Sequence, residues 1–153
     1  MSYGLYFEEL QIGRRFQHPV GRTITEFDDT LFSLMAMNQH PLHIDEHFAS
    51  GTQHGRRLVV GPLVISIVIG LTQADTGGRS LKVLEYSDVQ HVAPVFHGDT
   101  LYAESTVIAS RKSDEAKGSV TVELRGLNQR RETVLTMKRT FVAPCRLTVD
   151  TPT

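Results

Sequence analysis

Apolar positions change character along the chain. Up to about Thr76 they fall at helical or irregular spacings, apart from one early strand, and after Arg79 they alternate as strands do. Arg14 to Thr25 reads as a strand running into a helix start. Thr25-Glu26-Phe27-Asp28 has the Thr-x-x-acid form of a capping box, and Asp28 and Asp29 place negative charge in the first turn. Leu31, Leu34, Met35 and Asn38 then share one helical face, apolar until Asn38. Pro41 disfavours helical geometry at His40, so this helix stops there. His43 to Ala49 suits one or two further turns, ended by Gly51.

Leu63 to Gln73 is rich in Val and Ile and would pass as a strand on propensity alone. Its length, the Gly61-Pro62 start at Ncap and N1, and the Gly77-Gly78 stop predict a helix. Apolar residues lie all around it, so it is expected to be wrapped on most sides. Leu81 to Val95 is a long mixed run with Pro94 at a bend or edge. His97-Gly98-Asp99 is a turn, and Thr100 to Ser110 is a strand. Val120, Val122 and Leu124 alternate with Thr121, Glu123 and Arg125. Asn128 to Arg131 turns the chain, and Glu132 to Val142 returns. Strands joined by short polar turns predict an antiparallel meander. With one buried apolar helix the expectation is an α+β domain over residues 1–153, its sheet curled around that helix.

Composition narrows the partners. With 153 residues the chain is long enough to bury a core unaided. Sixteen basic against seventeen acidic residues give a net charge of −1, which exerts no general pull on nucleic acid or anionic membrane. The single cysteine, Cys145, rules out an intramolecular disulfide and reads as a quiet residue of the tail. The longest apolar run, Leu63 to Leu71, is broken by Ser66 and Gly70 and is too short for a bilayer. The acidic start of the chain does not suit a signal peptide, so a cytoplasmic location is expected.

Chemistry concentrates in Asn38-Gln39-His40-Pro41-Leu42-His43-Ile44-Asp45. The imidazole of His43 can exchange a proton near neutral pH, and Asn38 can orient a water or a carbonyl but cannot act as a base. Taken alone, Asn38 also suits a helix end and His43 a structural histidine; the residues leave both readings open. His40, His43, His47 and His54 are close in sequence, but His40 and His43 straddle Pro41 and no cysteine partner stands near, so neither a metal site nor a cofactor is expected. Gly61, at the start of the apolar helix, could offer a backbone N–H to a developing oxyanion, or be an ordinary cap. Arg56, Arg57, Arg79 and Arg111-Lys112 are basic spots that suit phosphates or solvent alike.

Three segments resemble the MaoC-like hydratases, which have the hotdog fold. The first is Asn38 to Asp45 with Phe48-Ala49, similar to the family motif Asp-x-Asn-Pro-(Leu/Ile/Val)-His-x-Asp. The second is Val59-Val60-Gly61-Pro62-Leu63, and the third is Pro94-Val95-Phe96-His97-Gly98-Asp99-Thr100-Leu101. The resemblance implies an enzyme that adds or removes water at a 2-enoyl-CoA thioester. His43 would be the acid/base, Asn38 would occupy the motif's Asp position, and Gly61 would supply the oxyanion N–H. Arg56, Arg57 and Arg79 would be candidates for the CoA phosphates. It also implies at least a homodimer. Asn38 removes a carboxylate, His40 replaces an Asn, and Val60 stands where many relatives have His. These departures suit a branch acting on dicarboxylic C5 acyl-CoAs of the mesaconyl or itaconyl type. A hotdog thioesterase and a non-catalytic acyl-CoA-binding subunit remain the alternatives.

Overall fold

The computed structural model describes residues 3–146. A short 3-10 turn, Phe7–Glu9, precedes strand β1 (Arg15–Thr23). Four helices follow: α1 (Glu26–Met35), α2 (Pro41–Ile44), α3 (Glu46–Ser50) and α4 (Gly61–Leu71). A π-helical turn, Gln73–Gly77, then leads into β2 (Lys82–His91), β3 (Thr100–Lys112), β4 (Lys117–Leu127) and β5 (Thr133–Pro144). The strands form one antiparallel sheet in the order β1-β3-β4-β5-β2. The expected meander holds for β3, β4 and β5. β2 instead lies on the far side of β5, so the chain crosses the sheet between β2 and β3.

α4 is the helix the sheet wraps. Leu63, Val64 and Val68 bury against Leu101, Ala103, Val107, Val122, Leu124, Leu135 and Met137 from the inner faces of β3, β4 and β5. Gly126 permits this approach, because a Cβ there would stand 2.7 Å from Val68 Cγ2. The helix begins one residue earlier than the sequence suggests: Val60 is its N-cap, and Gly61 and Pro62 open its first turn. Its cover is incomplete, since Pro62, Ser66 and Gly70, spaced four apart, face outward.

α1 departs from the expectation in a more consequential way. Thr25 and Asp28 form the capping box, with Thr25 Oγ1 accepting from the Asp28 N–H and the Asp28 carboxylate accepting from the Thr25 N–H. The face carrying Leu31, Leu34 and Met35 points outward, however; Leu34 and Met35 are 68% and 77% exposed, and the buried residues are Asp29 and Ser33. Asp29 can occupy the inner side because it finds partners there, whereas the Ser33 hydroxyl has none among the described residues. β2 is similarly open. Leu84, Tyr86 and Val89 are exposed along a strand that, among the described residues, pairs on one side only. Cys145 is buried, its N–H bonded to the Ala116 carbonyl.

Candidate active site

The loop after α1 is shaped by how that helix ends. Ala36 caps it, Met37 takes the left-handed conformation at φ 55°, and Asn38 N–H reaches back 2.8 Å to Ser33 O while Met37 N–H bonds to Leu34 O. This Schellman closure has methionine where glycine is usual. It fixes Asn38, whose Oδ1 accepts from His40 N–H at 3.1 Å. His40 caps α2, its Nδ1 accepting from Leu42 N–H. Pro41 opens α2, which carries His43.

His43 Nδ1 lies 2.9 Å from the carbonyl oxygen of Leu58. A carbonyl only accepts, so Nδ1 carries a proton and donates it. That leaves Nε2 with its lone pair when the ring is neutral, the arrangement a general base requires. His43 lines a cavity of about 250 Å³ together with Leu58, Val59, Gly61, Val64, His91, Ala93, Pro94 and Val95. Apart from the two imidazoles and the backbone, its walls are apolar.

The start of α4 supplies the second element. Val60 N–H donates to Asp29 Oδ1 at 2.9 Å, Pro62 has no N–H, and the N–H groups of Leu63 and Val64 turn to Val60 O. Gly61 N–H has no partner among the described residues, so it is the donor of this first turn that remains open to the cavity. Helix N-termini favour negative charge at such a group. Asp29, fully buried, holds the turn in place: its other oxygen accepts from His97 Nε2 at 2.8 Å. One carboxylate thereby ties α1, the turn at His97 and the start of α4 together.

His91, at the end of β2, is the cavity residue that sequence reasoning missed. A Cβ on Gly61 would stand 2.8 Å from His91 Nε2, so the imidazole fills the space any side chain at position 61 would need. Neither ring nitrogen has a hydrogen-bond partner among the described residues. The residue is exposed in the single chain, and the partial desolvation of its ring lowers its pKa from the usual histidine value. In sequence it sits in a mixed strand far from His43, and only its place just before a proline bend set it apart.

The structure brings His43 and Gly61 into one cavity; Asn38 is not among the residues lining it. Arg56 is exposed and stacks over Phe96 at 3.9 Å, beside the Leu58–Phe96 bridge at the cavity wall. Arg57 is already committed to Glu26 and Glu46. Arg79 stacks on Tyr6 at 4.3 Å and donates to Gly4 O, beyond the far end of α4. Among the described residues no three His, Cys, Asp or Glu side chains converge as a metal site would need. A roomier cavity of about 610 Å³, lined by Tyr6, Ala116, Pro144, Cys145 and Arg146, lies at the opposite end of β5 and contains no acid–base pair on a free helix N-terminus.

A second polar cluster sits in the core. His18 bonds to Asp75 Oδ2 through Nδ1 at 2.7 Å and to Ser105 Oγ through Nε2 at 2.9 Å. The order is that of a nucleophilic triad, but His18 and Ser105 are 4% and 2% exposed, and neither lines the His43 cavity. Burial lowers the His18 pKa despite Asp75, with Arg139 adding to the effect. The cluster joins β1, β3 and the turn after α4 as a satisfied hydrogen-bond network.

The family model described as "MaoC like domain" matches residues 8–127. The chain is 34% identical over 137 residues to the mesaconyl-CoA hydratase of Cereibacter sphaeroides, covering 89% of this chain and 40% of that protein. It spans about two fifths of the length of the curated relatives it matches at this level. Among solved structures, the monoamine oxidase regulatory protein from Archaeoglobus fulgius superposes with TM-score 0.84 at 33% identity, over 96% of this chain and 99% of that one. A Mycobacterium tuberculosis protein described as having a double hotdog fold superposes with TM-score 0.82 at 23% identity, over 98% of this chain and 47% of that one. The architecture is thus the hotdog fold, α+β, with the sheet wrapped on α4.

Proposed function

The chain belongs to the MaoC-like domain family, and on that premise we propose that it adds or removes water at the 2,3-double bond of a short-chain enoyl-CoA thioester. One observation carries the proposal: His43, with Nδ1 locked on Leu58 O and Nε2 open, shares an apolar cavity with the unpaired N–H of Gly61. Water bound at His43 Nε2 gives its proton to that nitrogen as its oxygen attacks C3. The C2–C3 π electrons move toward C1, and the thioester oxygen takes the negative charge against Gly61 N–H and the N-terminus of α4. The proton on His43 then passes to C2, which restores the base. Dehydration runs the same steps in reverse.

Asn38 occupies the position of the family's carboxylate. Its Oδ1 is held by His40 N–H, and Asn38 does not line the cavity. Such a site puts the proton chemistry on His43. The similarity to a mesaconyl-CoA hydratase supports a branched or dicarboxylic acyl group. Arg56 is the basic residue best placed for a CoA phosphate. The unpaired edge of β2 supports a homodimer of single hotdog units in which two such edges join.

Loss of conjugated thioester absorbance with crotonyl-, mesaconyl- and itaconyl-CoA tests this for wild type and His43→Ala. Turnover by wild type that His43→Ala loses is the expected result. Equal rates in both proteins remove His43 from the mechanism, and release of free CoA from a saturated acyl-CoA points to a thioesterase instead.

A further inference from the structure

Oxyanion sites usually offer more than one donor, and the start of α4 offers only one backbone N–H. Val60 N–H is spent on Asp29, position 62 is proline, and the next two N–H groups turn back to Val60 O. A second donor has to come from a side chain, and the polar side chains lining the cavity are His43 and His91. His43 donates from Nδ1 to Leu58 O and presents Nε2 as an acceptor. His91 has both nitrogens unengaged, with Nε2 2.8 Å from the Cβ position of Gly61, on the residue whose N–H is open.

We propose that His91 Nε2–H is the second oxyanion donor, acting with Gly61 N–H on the carbonyl oxygen of the bound thioester. The assignment deepens the hydration reading and rests on it. A carbonyl oxygen has two lone pairs, and donors adjacent on one wall can each take one. The surroundings suit a neutral imidazole in this role: apolar walls and a helix N-terminus both oppose an imidazolium, and partial desolvation lowers the pKa of this ring although the residue is exposed in the single chain. A neutral imidazole beside a helix N-terminus can polarise a carbonyl without becoming a cation. The same contact accounts for glycine at position 61, because a side chain there would push the ring away from the oxygen's place.

Carbonyl polarisation can be read without turnover. Butyryl-CoA labelled with ¹³C at the thioester carbonyl is bound to the intact protein, and its C=O stretch is followed by isotope-edited infrared spectroscopy. The band is expected at lower frequency in the wild-type complex than in free ligand. His91→Phe should lose a large part of that displacement, and His91→Gln, which keeps an N–H donor, should retain most of it. With the enoyl-CoA that turns over best, His91→Phe should lower kcat by about 10²–10³-fold with little change in KM, and His91→Gln should recover part of the loss. Wild-type protein gives a readout independent of any variant's folding: the His91 Nε2 proton should move on addition of butyryl-CoA in ¹⁵N-resolved NMR spectra. An unmoved Nε2 signal, or a folded His91→Phe protein with the wild-type carbonyl band, overturns the assignment. If no enoyl-CoA is hydrated but the band displacement depends on His91 as described, the hydration reading fails and the donor assignment stands.

Discussion

Replacing Asp29 with alanine tests how the start of α4 is held. Asp29 is fully buried, and each of its carboxylate oxygens accepts one hydrogen bond: from Val60 N–H at 2.9 Å and from His97 Nε2 at 2.8 Å. Alanine leaves the buried Val60 N–H without a partner, and the His97 imidazole, 18% exposed, loses its own. Hydrogen bonds to a charged group contribute about 1.5–3 kcal/mol each, and a buried donor left unsatisfied costs about 1–3 kcal/mol. The expected loss is therefore about 3–5 kcal/mol, a large share of the ~5–15 kcal/mol that folded domains typically have. Asparagine should be milder, at about 1–2 kcal/mol, because its Oδ1 can still accept from Val60 N–H. Urea unfolding of wild type and both variants gives the midpoints, and an unchanged slope shows that only stability moved. Activity at a temperature where Asp29→Asn stays folded should still fall, because Val60 is the neighbour of Gly61. An Asp29→Ala midpoint within about 1 kcal/mol of wild type would refute the reasoning, since the two bonds would then contribute nothing net.

Four further outcomes are expected. Gly61→Ala forces His91 aside, so kcat should drop while the thermal midpoint changes little; activity equal to wild type would show that the contact does not matter. Met37→Gly relieves a left-handed methionine and should add about 1 kcal/mol to stability in the same urea assay. Gly118→Ala drives a Cβ into the Phe7 ring and should cost about 1–3 kcal/mol through overpacking, checked by thermal unfolding. His18 is kept neutral by burial, so its folded pKa lies below the ordinary 6.5 and the unfolded chain binds the extra proton first. Stability should therefore fall as pH drops through about 6.5 toward the folded value, and His18→Gln should flatten that part of the urea-midpoint profile.

Local rules were enough for much of this fold. The Thr25–Asp28 capping box, the Gly61-Pro62 helix start, the alternation in β4 and the turn at Asn128 each depend on a few neighbouring residues, and all are present. Pairings set by the whole fold were not legible. Nothing in Leu81 to Val95 says that its partner is β5 rather than β3. Asp29 looked like a surface charge suited to a helix dipole, and its burial is intelligible only once His97 and Val60 are seen to converge on it. The same holds for the candidate site: His43 and Gly61 announce themselves by motif, while His91 reaches them only through the crossing of the sheet.

That crossing gives the free edge of β2 a consequence. The strand ending in His91 is anchored along β5 alone, its last pairing being His91 with Leu135. Whatever docks on the open side of β2 therefore also steadies one wall of the cavity that His43 lines. For a protein built of separate single units, dilution would then act as an inhibitor: specific activity per chain should decline as subunits part. A chain carrying two units in tandem would escape this dependence, because its second edge is always within reach.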